Sequence, residues 1–186
     1  MKPQEIIDWQ LETERRAGQA VALFRQGYNC AQSVSMALAD LYGIEPALMA
    51  RLSASFGGGI GRMRETCGAA CGMFLLAGLE VENHDDNPTN PSVTYPDAAL
   101  KKANYKVVQQ LADEFRNRCG ALLCRQLLGL STPQADGTVP PVAVSATPEE
   151  RTEAYYRRRP CTAMVETAVQ IYMEYLRNKY ESTTRQ

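Results

Sequence analysis

The amino-acid sequence predicts an all-α fold, and three observations carry that prediction. Apolar residues recur at spacings of three and four through most of the chain, few segments alternate with period two, and several periodic runs open or close at residues that cap or break helices, among them Gly27, Asn29, Gly43 and Pro46. At 186 residues, 45% hydrophobic and 22% charged, the chain holds enough apolar material for one core, so a single helical domain is expected over residues 1–186.

The first helix is expected from about Gln4 to Arg25, filling an N-terminal region of residues 1–26 that ends against Gly27. A second opens behind Asn29, an N-cap residue type whose side chain can accept a hydrogen bond from the first helical turn, and closes at Tyr42-Gly43. A short third begins at Pro46, since proline fits the first turn, and runs into the glycines of FGGGIGR. Residues 68–80 (GAACGMFLLAGLE) are small or apolar on nearly every side, the pattern of a central helix enclosed by others. ENHDDNPTNPSVTYPD then reads as a surface loop with the lone histidine, His84, in solvent.

A long polar helix follows over about 97–118 and is the candidate contact for a homodimer. A turn at Cys119-Gly120 leads to a short helix, ALLCRQLLG, and the proline-rich STPQADGTVPPVAVSATP forms a second long loop that can cover a site. The last helix is expected from about Pro160 to Tyr180, with residues 181–186 as a frayed end.

Charge and hydropathy exclude several functions. Twenty basic against twenty-one acidic residues give a net charge of −1, without the cationic excess that nucleic-acid backbones demand. The N-terminus lacks a signal peptide's apolar core, and no segment reaches the roughly eighteen apolar residues of a membrane span. A cytoplasmic protein is expected, in which six cysteines are thiols, metal ligands or a switching pair rather than a disulfide framework. With one histidine, cysteine–histidine nucleophilic catalysis has little to build on. Tyr28, Tyr95, Tyr155 and Tyr156 are assigned to packing or surface.

The cysteines fall at informative places. Cys30, Cys67 and Cys161 each sit at a predicted helix start, where unpaired amides and the positive end of the helix dipole favour a thiolate. Cysteine is also a small buried hydrophobe, and for any one of the six that plainer role suffices. Cys67 and Cys71, four apart, share a helix face and could ligate one metal, although zinc sites more often use paired CxxC knuckles.

Gly57, Gly58, Gly59 and Gly61 lack the GK[ST] ending of a phosphate loop and follow no strand, which disfavours a nucleotide site. They serve either as a backbone nest for an anion, assisted by Arg62 and Arg64, or as a place where another helix passes close. Gly58, Gly59, Gly61, Arg62 and Gly68 are the candidate cofactor-contacting residues.

NCAQSV around Cys30, FGGGIGR, CGAACG around Cys67, CRQLLG at Cys124 and RPC at Cys161 together resemble the redox-active proteins named for the C_GCAxxG_C_C motif, over residues 27–168. The resemblance implies that Cys30, Cys67, Cys124 and Cys161 are the working cysteines, with Gly68, Ala69 and Gly72 completing the central motif. That family is similar in turn to the C-terminal domain of split-Soret cytochrome c, a helical domain whose cysteines are associated with an iron–sulfur centre. Cys71 and Cys119 depart from the four-cysteine pattern and leave all six cysteines as candidate metal ligands.

The leading expectation is a small redox protein that binds an iron–sulfur cluster or cycles a dithiol, Cys67 being the foremost nucleophile, and that exchanges electrons with a protein or small-molecule partner. The alternatives are a non-catalytic module for a soft metal such as zinc or copper(I), associated with transport, and a helical interaction protein whose cysteines fill the core.

Overall fold

The computed structural model describes residues 2–81, 98–131, 134, 137–139 and 141–183. The expected loop at 82–97, with His84 and Tyr95, lies outside them. The described residues form eight α-helices and no named strand. The all-α expectation is borne out.

Helix α1, Trp9–Arg25, starts later than Gln4 because Asp8 accepts a hydrogen bond from the Leu11 amide at 2.9 Å and so fixes the N-cap. A single 3₁₀ turn, Pro3–Glu5, precedes it. Helix α2, Cys30–Leu38, opens with a reciprocal capping box: the Gln32 amide donates to Asn29 Oδ1 and the Asn29 amide to Gln32 Oε1, each at 3.0 Å. It tightens to 3₁₀ over Ala39–Tyr42 and stops at Gly43, whose φ of 64° is left-handed. Helix α3, Pro46–Ser53, carries its proline in the first turn as expected.

Helix α4, Gly68–Ala77, is the enclosed central element; Gly68, Ala69, Ala70, Cys71, Gly72, Met73, Leu76 and Ala77 are all buried. It packs on α2, on α5 (Ala98–Cys119) and on α8 (Cys161–Thr183), while α1 closes the bundle against α2 and α8. The short helix expected around CRQLLG shrinks to α6, Cys124–Leu127. Helix α7, Glu153–Arg158, was not expected; the Thr152 hydroxyl caps it by accepting from the Tyr155 amide at 3.2 Å.

Two polar clusters lie inside this apolar frame. Arg16, wholly buried on α1, donates to the Ala37 carbonyl at 2.7 Å and to the Asp40 carboxylate, and pairs with Glu12 at 2.8 Å. A buried cation needs such partners, and here they fasten α1 to the end of α2. Glu80, just past α4, accepts from Tyr42 at 2.5 Å, from Lys179 at 2.9 Å and from Tyr180 at 3.2 Å. Tyr42 and Tyr172 share a further hydrogen bond at 2.6 Å.

Helices α2, α4 and α8 therefore meet in two places. The 3₁₀ turns that end α2 and α4 meet at Tyr42 and Glu80, which bond α8 at Tyr172 in its middle and at Lys179 and Tyr180 toward its end, while the three helices' first residues lie together, so the three run in the same direction. No described helix is long and apolar enough to cross a membrane.

Candidate functional site

Where those three helices start, Cys30, Cys67, Cys124 and Cys161 line one cavity of about 460 Å³. Each is placed by a different local device. Cys30 and Cys161 are the first residues of α2 and α8, and Cys67 is the N-cap of α4. Cys124 opens α6 and is set beside Cys67 by a short antiparallel pairing. The Cys67 amide donates to the Leu122 carbonyl at 2.9 Å, and the Cys124 amide to the Glu65 carbonyl at 2.6 Å.

The glycine loop forms the cavity's wall by turning left-handed. Gly58, Gly59, Ile60, Gly61 and Arg62 have successive φ values of 63°, 75°, 57°, 56° and 63°, and Arg64 follows at 65°. Glycine adopts this region freely, whereas each L-residue there costs about 1–2 kcal/mol, most for a β-branched side chain such as Ile60. The amides of residues 60 to 65 all donate to carbonyls of residues 55 to 60. They are spent on the turn itself, so among them the anion nest is not formed.

Close approach is the loop's other use. A Cβ on Gly59 would stand 2.6 Å from Cys124 Cβ, and one on Gly68 would stand 2.8 Å from the Phe56 carbonyl and 3.2 Å from Cys30 Cβ. Of the candidate cofactor contacts, Gly58, Gly59, Gly61, Arg62 and Gly68 all line the cavity.

All six cysteines are free thiols. Burial pushes Cys67 up to about 12, even though the Ala69 and Ala70 amides at the start of α4 pull the other way. At Cys67, which the sequence suggested as foremost nucleophile, desolvation therefore opposes the helix-start effect. Cys161 is the thiol drawn down, to about 7, by the Cys30 thiol that faces it as a hydrogen-bond donor and by the charges of Arg159, Arg151 and Arg64. Cys30 rises correspondingly, because its proton is held between the two sulfurs and because it is buried. Burial raises Cys124 too, against the opposing pull of the Arg64 guanidinium beside it.

Cys71 and Cys119 are not in this wall. Cys71 is buried one turn into α4 and points its thiol at the Thr66 carbonyl, 3.9 Å away; Cys119 lines a separate shallow cavity with Gly120 and Pro160. Among the described residues, no group of three or more His, Cys, Asp or Glu side chains is gathered closely enough to hold one metal ion.

Four functional candidates went unseen in the sequence. Glu149, Arg151, Tyr155 and Arg159 also line the cavity. Tyr155, read as packing or surface, lies between two guanidinium groups, Arg151 at 5.0 Å and Arg159 at 4.8 Å from its ring centre. Thr152, an N-cap residue type ahead of EAYYRR, was the one local signal for this segment.

Residues 28–175 match the family model described as "Putative redox-active protein (C_GCAxxG_C_C)". The chain belongs to this family. The match takes in all four cavity cysteines, the left-handed loop and most of α8, so the cavity at the helix starts is built, Gly27 apart, from family-matched sequence. No curated protein and no solved structure matches the chain.

Proposed function

We propose that the cavity is a redox centre in which Cys30, Cys67, Cys124 and Cys161 hold an iron–sulfur cluster for electron transfer. The observation that supports this most is the convergence of four cysteines, from four separate helix starts, on one cavity. A dithiol switch uses two cysteines; clusters of two or four irons use four. In such a cluster each iron would take only one or two of the four thiolates, so three of them need not gather about one ion, the arrangement absent among the described residues.

The surroundings suit a negatively charged centre. Three helix N-termini aim their positive ends at the cavity, and Arg64 and Arg159 stand beside Cys124 and Cys161. When bound, the cluster would supply one-electron chemistry. The chain's own part is to hold the thiolates, offset their charge and restrict water through the left-handed loop and the segment carrying Glu149.

A second reading has its own observation. Cys30 faces Cys161, and the latter is the thiolate of the pair near neutral pH. Transfer of two electrons to a protein or small-molecule acceptor, with release of the one proton left on Cys30, would join these sulfurs as a disulfide without involving Cys67 or Cys124.

Anaerobic purification followed by iron, acid-labile sulfide and thiol analysis separates the two. The cluster reading expects matched iron and sulfide, lost in alanine variants of Cys30, Cys67, Cys124 or Cys161 and retained in those of Cys71 or Cys119. An iron-free protein that resists reconstitution yet shows a reversible two-electron titration, abolished only at Cys30 and Cys161, would establish the dithiol instead.

A further inference from the structure

The lining of the cavity that holds the cysteines is also strongly cationic. Arg62, Arg64, Arg151 and Arg159 line it, against a single carboxylate, Glu149. That carboxylate comes from outside the bundle, on the segment that precedes α7. It hydrogen-bonds Arg159 and lies 3.9 Å from Arg62 and 3.8 Å from Arg64. Glu149 is 43% exposed, whereas Arg62, Arg64 and Arg159 are 20%, 8% and 18% exposed.

Three largely buried guanidinium groups thus converge on one half-exposed acid, and two of them sit beyond hydrogen-bond distance from it. The segment's backbone is anchored on either side, by Arg62 Nε donating to the Ser145 carbonyl at 2.8 Å and by Arg151 donating to the Phe24 and Tyr28 carbonyls at 3.3 Å each, so the Glu149 side chain can leave without the backbone moving. The arginines are in contrast held in place. Arg159 rests on the Tyr155 ring, and Arg64 is set by the left-handed turn.

We propose that this is a binding site for a small organic carboxylate, which Glu149 occupies from within the chain when no ligand is present. Guanidinium forks match a carboxylate's two oxygens, and a ligand acid would complete the bonds to Arg62 and Arg64 that Glu149 leaves long. A cavity of about 460 Å³ accommodates a small metabolite-sized acid beside the thiols. Ligand entry displaces the Glu149 side chain. The site requires neither a cluster nor a disulfide, and stands or falls independently of the redox reading.

Calorimetric titration of the full-length, thiol-reduced protein with succinate, its neutral diamide and inorganic phosphate tests it. Glu149→Gln removes the internal competitor's charge, lies at a half-exposed position and leaves the arginines in place. Succinate is expected to bind this variant about tenfold or more tightly than the wild type, the scale of one charge-assisted hydrogen bond. Adding Arg62→Gln should remove that gain, and the diamide should bind neither protein.

Equal succinate affinity in wild type and Glu149→Gln overturns the proposal, since arginines serving only to offset thiolates would not respond. So does equal binding of the diamide. Phosphate binding as tight as succinate overturns the carboxylate assignment. Iron, sulfide and thiol counts on the same samples report separately on the redox centre.

Discussion

Cys161 is the one cysteine whose proton is loosened, and the cause lies in two neighbours rather than in its helix start alone. Cys67 also begins a helix, yet burial pushes it up to about 12; Cys161 has the Cys30 thiol as donor and Arg159 nearby, and falls to about 7. In the unfolded chain a thiol titrates near 9.0. Between 7 and 9 the unfolded chain keeps the Cys161 proton and the folded one does not, so this group adds stability as pH rises to 9 and loses it as pH falls through about 7. Above 9 the sign reverses, because the other five thiols are raised and hold their protons longer when folded. The urea midpoint of the reduced, metal-free protein should therefore climb from pH 7 to 9 and drop beyond, and Cys161→Ser should lose the rising limb. Iodoacetamide labelling of Cys161 should show a midpoint near 7 that moves upward in Cys30→Ala; a midpoint near 9 in the wild type would refute the pairing.

Helix contacts decide whether these residues meet, and the α2–α4 crossing leaves no room for a side chain at Gly72. A Cβ on Gly72 would lie 2.7 Å from Val34 Cβ and 2.9 Å from the Ala31 carbonyl, so the two backbones could not keep their separation. Gly72→Ala is expected to cost about 1–3 kcal/mol by overpacking and to shift Cys30 away from Cys67. Gly18, inside α1, offers the opposite case: nothing stands within 4 Å of its missing Cβ, so Gly18→Ala should stabilise by roughly 0.5–1 kcal/mol. Denaturation midpoints that move in the same direction for both variants would contradict this account. Such differences also explain what the sequence could reveal. Caps and periodicity are local, which is why Asn29, Pro46 and the enclosed run at Gly68 were readable. The handedness of the glycine loop was not, because Ile60, Arg62 and Arg64 adopt φ values that the turn imposes on them. Nor were Glu149 and Arg159 legible as site residues: helix α7 is only six residues long, and contacts with residues 62–64 place its flanks in the cavity.

At the scale of the molecule, polar side chains pin the ends of α2 and α4 to the second half of α8, and the three helix starts, away from that cluster, gather cysteines. Burial raises the Tyr42 and Tyr172 hydroxyl pKa values, keeping both protonated as they bind each other and Glu80. Glu80 has 1% of its side chain exposed and answers Lys179 and Tyr180 as well as Tyr42. Glu80→Ala would remove the acceptor these three side chains share, and because Lys179 keeps the residue-80 carbonyl and Tyr42 keeps Tyr172, the loss should fall below the roughly 3–5 kcal/mol of a fully buried broken ion pair. Glu80→Gln, which keeps the shape and one acceptor, should cost less. Both should lower the urea midpoint, but neither should move the labelling midpoint of Cys161 in the native protein, since that value is set at the opposite end by Cys30 and Arg159. A Glu80 variant that kept full stability would show that the polar end does not hold the helices. One that shifted the Cys161 midpoint would show that α2 and α8 transmit changes at that end along their length to the cysteines.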